Sequence, residues 1–253
     1  MAMHIDQVMH TGVKSPTVVF VHGAWHSPEF YAPLLDGLRK TKFHVIAPHL
    51  PSAGGSSDNF NDDVLLVRRS IASQVNDGHE VVVVMHSYGG MVGSAAVEGL
   101  SKHDVRTGGG VIRLIYLTAF ALEAGVSLMD SLNNQPLPWQ KSVNEKQWDV
   151  INPQQVFYND VECEVADELA AKLLLQSKGS LESKQTYAAW KYIDSTYVVC
   201  ENDMAIPKHA QLSMASQAGG RFTIEYLAAG HSPFLSMPQQ TVHVIRKTIW
   251  ESG

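Results

Sequence analysis

Short continuous runs of apolar residues alternate along this chain with longer stretches in which apolar residues recur every three or four positions. Thr17–Val21 (TVVFV), Phe43–Ala47 and Val81–Val84 are of the first kind, and each predicts a buried strand. Between the first two, Phe30, Leu34, Leu35 and Leu38 form a stripe at helical spacing, opened by Ser27-Pro28-Glu29. Pro48 and Pro51 stop the second strand, and the Gly- and Ser-rich segment Ser52–Asp58 reads as a loop. Val64, Val67, Ile71 and Val75 form the next helical stripe, opened by Asp62 and Asp63 and ended by Gly78. Gly108-Gly109-Gly110 then turns into a long strand, Val111–Thr118.

After that strand the texture changes. From about Ala121 to Ser195 no buried strand is recognisable, and the clearest element is a helix over Val165–Leu175 (VADELAAKLLL). The alternation resumes with Tyr197–Cys200, a helix start at Pro207, a strand at Phe222–Leu227, and a last helix opened by Pro238 that carries Val242, Ile245 and Ile249. Strands alternating with helices of these lengths predict an α/β fold: a doubly wound, mostly parallel sheet covered on both faces. Residues 1–120 and 196–253 form its core, and 121–195 form a helical lid inserted between the halves. No internal repeat points to a solenoid.

The central stretch is Glu80–Gly93, EVVVVMHSYGGMVG. A strand, a sharp turn holding one serine, and a helix of small residues make a nucleophile-elbow arrangement around Ser87. Gly89 and Gly90 keep the turn's neighbours small, and the helix directs its N-terminal amides toward whatever Ser87 attacks. The usual motif is G-x-S-x-G; Met85 replaces its first glycine, and Gly93 and Ala95 are expected to leave it room.

A serine hydroxyl needs a base, and the base needs an acid to hold its tautomer. On this fold both follow the serine, acid first, in loops at the ends of later strands. Glu201-Asn202-Asp203-Met204-Ala205-Ile206-Pro207 follows one strand and Gly230-His231-Ser232-Pro233-Phe234 follows the next. His231 is the expected base, since His209 and His243 fall on predicted helices. Asp203 is the expected acid, with Glu201 the nearest alternative and Asp194 a remote one; the spacing to Ile206-Pro207 favours Asp203. An oxyanion hole needs two backbone N–H groups. Tyr88 and Ala24, the latter in His22-Gly23-Ala24-Trp25 after the first strand, are the candidates, with Gly23 keeping that turn open for substrate.

These segments together resemble the α/β-hydrolase superfamily, nearest the branch of plant methylesterases, hydroxynitrile lyases and their microbial esterase relatives. HGAWHSPEFY, HSYGG, the END-x-x-IP loop and GHSPF match that branch in order and spacing. The resemblance implies Ser87 as nucleophile, His231 as base, Asp203 as its orienting acid, and a lid lining an apolar pocket. In the hydroxynitrile lyases of that branch a lysine follows the histidine; here Ser232 does, which favours ester hydrolysis over cyanohydrin cleavage. The expected reaction is acyl transfer to water from a carboxylic ester, including lactones and aryl esters. Its rivals are a lyase, isomerase or cyclase using the same groups as acid and base, and a ligand receptor on a hydrolase fold.

Composition narrows the partners. A net charge of −6 lacks the basic face that nucleic acid requires, and no apolar run reaches the roughly 20 residues of a membrane span. The N-terminus, MAMHIDQVMH, lacks a secretory-signal layout, and two distant cysteines, Cys163 and Cys200, fit free thiols; a cytoplasmic location is expected. A homodimer is compatible with all of this. Neither cofactor nor metal is expected: no phosphate-binding glycine motif occurs, and His22 and His26 have no further ligand at metal-site spacing. His22 and His86 read as structural neighbours of the site. Among the aromatic residues, Trp25, Phe120 and Phe234 adjoin the site loops, with Tyr88, and are the expected substrate wall for a small lipophilic ester.

Overall fold

A computed structural model describes residues 15–250. The N-terminal stretch considered above for a secretory signal, residues 1–10, lies outside them. In chain order the strands are β1 (Thr17–Val21), β2 (His44–Ile46), β3 (Glu80–Ser87), β4 (Gly110–Ala119), β5 (Gln140–Ser142), β6 (Gln147–Val150), β7 (Gln176–Ser177), β8 (Ser195–Cys200) and β9 (Phe222–Leu227). The helices are α1 (Ala32–Lys40), α2 (Phe60–Asn76), α3 (Gly89–Ala96), α4 (Leu128–Ser131), α5 (Pro153–Phe157), α6 (Cys163–Ala170), α7 (Lys178–Glu182), α8 (Lys208–Ala215), α9 (Pro233–Ser236) and α10 (Pro238–Trp250). A tight turn over Pro28–Tyr31 leads into α1.

Six strands form one sheet in the order β2-β1-β3-β4-β8-β9, and every neighbouring pair is parallel. Successive valines explain the burial. Val19, Val21, Val81, Val83 and Met85 face one layer, with Phe60, Val67, Ile71 and Val75 of α2 and Met91, Val92 and Ala95 of α3. Val18, Phe20, Val82 and Val84 face the other, with Leu34, Leu35 and Leu38 of α1 and Val242, Ile245 and Ile249 of α10. A parallel strand covered on both faces reads as an unbroken apolar run for this reason. The chain winds outward from β1 to β2 and then returns past β1 to β3. The loops after β1 and β3 therefore part at the carboxyl edge of the sheet, where such folds leave a crevice.

Residues 120–194, between β4 and β8, depart from the expected all-helical insertion. They hold α4 to α7, but also an antiparallel three-stranded sheet, β5-β6-β7. Its strands have three, four and two residues. The helix expected over Val165–Leu175 stops at Ala170. Beyond it the chain is drawn onto the core: Leu174 N–H donates to Trp25 O (2.8 Å), and Leu175 O accepts from Gly54 N–H (2.9 Å).

Candidate active site

Ser87 ends β3 with φ +52°, a left-handed conformation that a non-glycine residue adopts only when its surroundings enforce it. The neighbours show how close that enforcement is. A Cβ on Gly89 would lie 2.4 Å from Val21 O, and one on Gly90 2.4 Å from Phe120 O. A Cβ on Gly93 would lie 2.4 Å from Met85 Sδ, so the glycine missing two residues before the serine is compensated one turn into α3.

The turn after β1 lies against this elbow. Gly23 has no side chain because a Cβ there would approach His86 Nδ1 to 2.9 Å and Ser87 Cβ to 3.0 Å. This corrects the expectation that Gly23 clears space for substrate: it lets two pieces of protein meet. The amides around Ala24 are already engaged, Gly23 N–H with Tyr31 Oη (3.0 Å) and Trp25 N–H with Gln176 Oε1 (3.1 Å). Among the described residues the Ala24 and Tyr88 amides donate to nothing. Both residues border the same cavity as Ser87.

Three histidines fix these loops: hydrogen-bond direction makes His22 neutral, and burial keeps His26 and His86 neutral, which sets the directions of their bonds. His22 Nε2 accepts from Leu50 N–H (2.9 Å), so its Nδ1–H donates to Gly23 O (2.8 Å). His26 Nδ1–H donates to Ala24 O (2.7 Å), and its Nε2 accepts from the Tyr158 hydroxyl (2.9 Å). Burial holds His22 down to about 4 and His26 down to about 3. His86 Nε2–H donates to His231 O (2.9 Å), and its Nδ1 accepts from Tyr31 Oη (2.8 Å); burial drives its pKa well below the ordinary range. The path Gly23 N–H, Tyr31, His86, His231 O thus joins the loop after β1, the end of β3 and the loop after β9.

His231 is buried and its Nδ1–H donates to Asp203 Oδ2 (2.7 Å), which leaves Nε2 for the cavity that it borders with Ser87. Asp203 accepts through Oδ1 from the Ala205 and Ile206 amides (2.7 and 2.8 Å), and through Oδ2 also from the Thr118 hydroxyl. Glu201 instead meets Lys208, and Asp194 meets Arg221, both at the surface. Gly230, just before His231, is braced by the insertion: its N–H donates to Asp160 (2.6 Å), and a Cβ would lie 2.2 Å from Asn159 Oδ1.

The cavity is narrow, with a volume of about 20 Å³ open to a water-sized sphere. Trp25 and Phe120 line it. Phe234 does not border it: it is fully buried and packs on Tyr31 (ring centroids 4.1 Å apart) and His86 (5.0 Å), behind the site. The rest of the wall includes Leu128, Leu137, Trp139, Gln140 and Phe157, all from the insertion. The site is nearly closed, with Ser87 9% and His231 1% exposed.

Two supporting groups lay beyond the sequence reading. Asp63, expected as a first-turn helix acid, is completely buried; it accepts from Ser52 N–H (3.0 Å) and the Tyr88 hydroxyl (2.7 Å), and burial raises its pKa. Gln176 is equally buried, and besides Trp25 N–H it engages Ser52 and Ser180 through Nε2 (2.9 and 2.8 Å). Neither residue carries a local signal, because the partners lie far away in sequence. Among the described residues no group of three or more His, Cys, Asp or Glu is placed to hold a metal ion. Cys163 and Cys200 are free thiols, and no described helix is long and apolar enough to cross a membrane.

A parallel sheet with a serine elbow and a buried His–Asp pair at its carboxyl edge defines an α/β hydrolase architecture. The model of the alpha/beta hydrolase family matches residues 18–244, and the chain belongs to that family. Alpha/beta hydrolase nvfD of Aspergillus novofumigatus (strain IBT 16806) is 36% identical over 244 residues, covering 94% of this chain and 98% of its own. A pyrethroid hydrolase from Sphingobium faniae JZ-2 superposes with a TM-score of 0.74 at 20% identity, over 92% of this chain and 97% of its own. The methylesterase MES16 from Arabidopsis gives a TM-score of 0.74 at 20% identity, over 93% and 99%. Family and relatives support a hydrolase.

Proposed function

We propose that the protein is a serine esterase that cleaves a carboxylic ester of a small lipophilic substrate through an acyl-enzyme. Ser87 Oγ attacks the acyl carbon while His231 Nε2 takes its proton, and Asp203 stabilises the imidazolium through Nδ1–H. The amides of Ala24 and Tyr88 receive the negative charge that develops on the carbonyl oxygen. Collapse of the tetrahedral adduct releases the alcohol, protonated by His231. A water deprotonated by the same nitrogen then hydrolyses the acyl-enzyme, giving the free acid and regenerating Ser87. Residues 121–195 act as a lid whose apolar side chains select the substrate. A methylesterase among the structural neighbours points the same way.

The observation that carries this reading is the pairing of Ser87, held at φ +52°, with a buried His231–Asp203 hydrogen bond of 2.7 Å on one apolar cavity. The decisive measurement is turnover of short 4-nitrophenyl esters. Ser87→Ala is expected to lower kcat by about 10⁵ while leaving the circular dichroism spectrum unchanged. Equal rates for the two proteins would exclude Ser87 as nucleophile.

A further inference from the structure

The cavity wall carries two polar side chains that the proposed chemistry does not use, Gln140 and Trp139. Of the other polar groups along it, the Tyr88 hydroxyl is bound to Asp63 and the Trp25 indole N–H to Trp148 O (3.1 Å). Gln140 differs. It begins β5, is 8% exposed, and borders the cavity beside Trp139 and Leu137. Its backbone N–H donates to Leu137 O and its Oε1 accepts from Leu137 N–H, both at 2.8 Å, so a short turn clamps it twice. An amide N–H can only donate, so the carboxamide atom facing Leu137 is oxygen, and the orientation of the group follows. Nε2 therefore keeps two N–H donors, and among the described residues neither has an acceptor. Nε2 keeps contact with solvent and is not among the sealed, unpartnered side-chain atoms of the described residues, so it is open to an acceptor; a ligand that covers it without supplying an acceptor leaves a donor unpaired at a cost.

We infer that Gln140 is a specificity residue: the substrate carries, besides the scissile ester, a second hydrogen-bond acceptor oxygen (ketone, ether, hydroxyl or further carbonyl) that docks on Gln140 Nε2. The clamp at Leu137 makes the donor preorganised, which raises the return on each hydrogen bond it forms. Selection by an uncompensated polar group is also sharper than selection by apolar volume. The inference builds on the esterase reading for the position of the scissile bond, but the donor itself belongs to the cavity.

Matched pairs test it. 4-Nitrophenyl esters of keto acids, with the ketone placed at successive positions along the acyl chain, are compared with their hydrocarbon counterparts in kcat/KM. The wild type is expected to prefer one keto ester over its hydrocarbon partner by about tenfold, and Gln140→Leu to abolish that preference while still hydrolysing the hydrocarbon ester. Gln140→Glu keeps an oxygen for Leu137 N–H and removes the amide donors; it loses the preference too, which separates recognition from misfolding. Trp139→Phe, which removes the neighbouring indole N–H, leaves the preference intact. A preference that survives in both Gln140 variants, disappears in Trp139→Phe alone, or is absent from the wild type overturns the proposal. Calorimetric binding of the corresponding diketones, in which CH₂ replaces the ester oxygen, is run in parallel. If no ester is turned over but the diketones still show a Gln140-dependent preference, the esterase reading fails and the role of Gln140 stands.

Discussion

The parallel sheet and the segment inserted between β4 and β8 meet at one cavity but contribute to it in opposite ways. From the sheet come Ser87, Ala24, Tyr88, His231 and Asp203, each on a loop or strand end held by hydrogen-bonded neighbours. From the insertion come Leu128, Leu137, Trp139 and Phe157, apolar surface carried on short elements. On the esterase reading, reaction geometry is then held by the sheet loops and ligand selection mainly by the insertion, with Trp25 shared between them. Alteration of the sheet loops should change rates, and alteration of the insertion should change which ligand is accepted.

After Ser87→Ala, Asp203→Asn gives the largest expected effect of this kind. Oδ1 can still accept from the Ala205 and Ile206 amides, so the loop keeps its shape, but the group facing His231 Nδ1 becomes a donor. The imidazole is then held in the wrong tautomer, and kcat should fall by about 10⁴ with little change in melting temperature. A loss below tenfold would mean that the acid acts only as a structural anchor.

The next effect concerns the stability of the same loops. His22 and His26 are neutral when folded, with pKa values of about 4 and about 3 against 6.5 when unfolded. Between pH 6.5 and those values the unfolded chain binds more protons, so stability falls as the pH is lowered and levels off below about 3. From pH 7 to pH 5 the two together should remove on the order of 4 kcal/mol, about 10³ in the folding constant. Urea midpoints across that range test this; a flat profile would show that the rings are accessible to solvent protons when folded.

A smaller effect would breach the division between the regions. Gln176 belongs to the insertion, yet its Oε1 fixes Trp25 N–H, next to the Ala24 amide. Gln176→Leu should lower kcat about tenfold with KM changed less than twofold, together with a lower melting temperature. Should KM alone move, Gln176 would belong with the wall residues.

Legibility follows the same line. The six core strands and the order Ser87, Asp203, His231 were readable because buried parallel strands are unbroken apolar runs and their reactive loops follow them directly in sequence. Even the Met85 exception resolves locally, against Gly93. What escaped depends on distant partners. Thr118, at φ +38°, supports Asp203 from 85 residues away, and Gln176 reaches Trp25 across 151. Asp63 sits where any first-turn helix acid would, and only the fold reveals that it faces Tyr88. The strands of the insertion are too short to show a period, and Phe234 adjoins His231 in sequence but points away from the cavity.

The path from Gly23 through Tyr31 and His86 to the carbonyl of His231 lies wholly beneath the reaction centre and includes no atom of the insertion. On the esterase reading, the spacing between proton acceptor and anion cradle is therefore set in part from below, like the span of a caliper. On that reading, a rearrangement of the roof that admits a ligand can leave these four partners bonded to one another, while the braces at Gly230 and Trp25 move with the insertion.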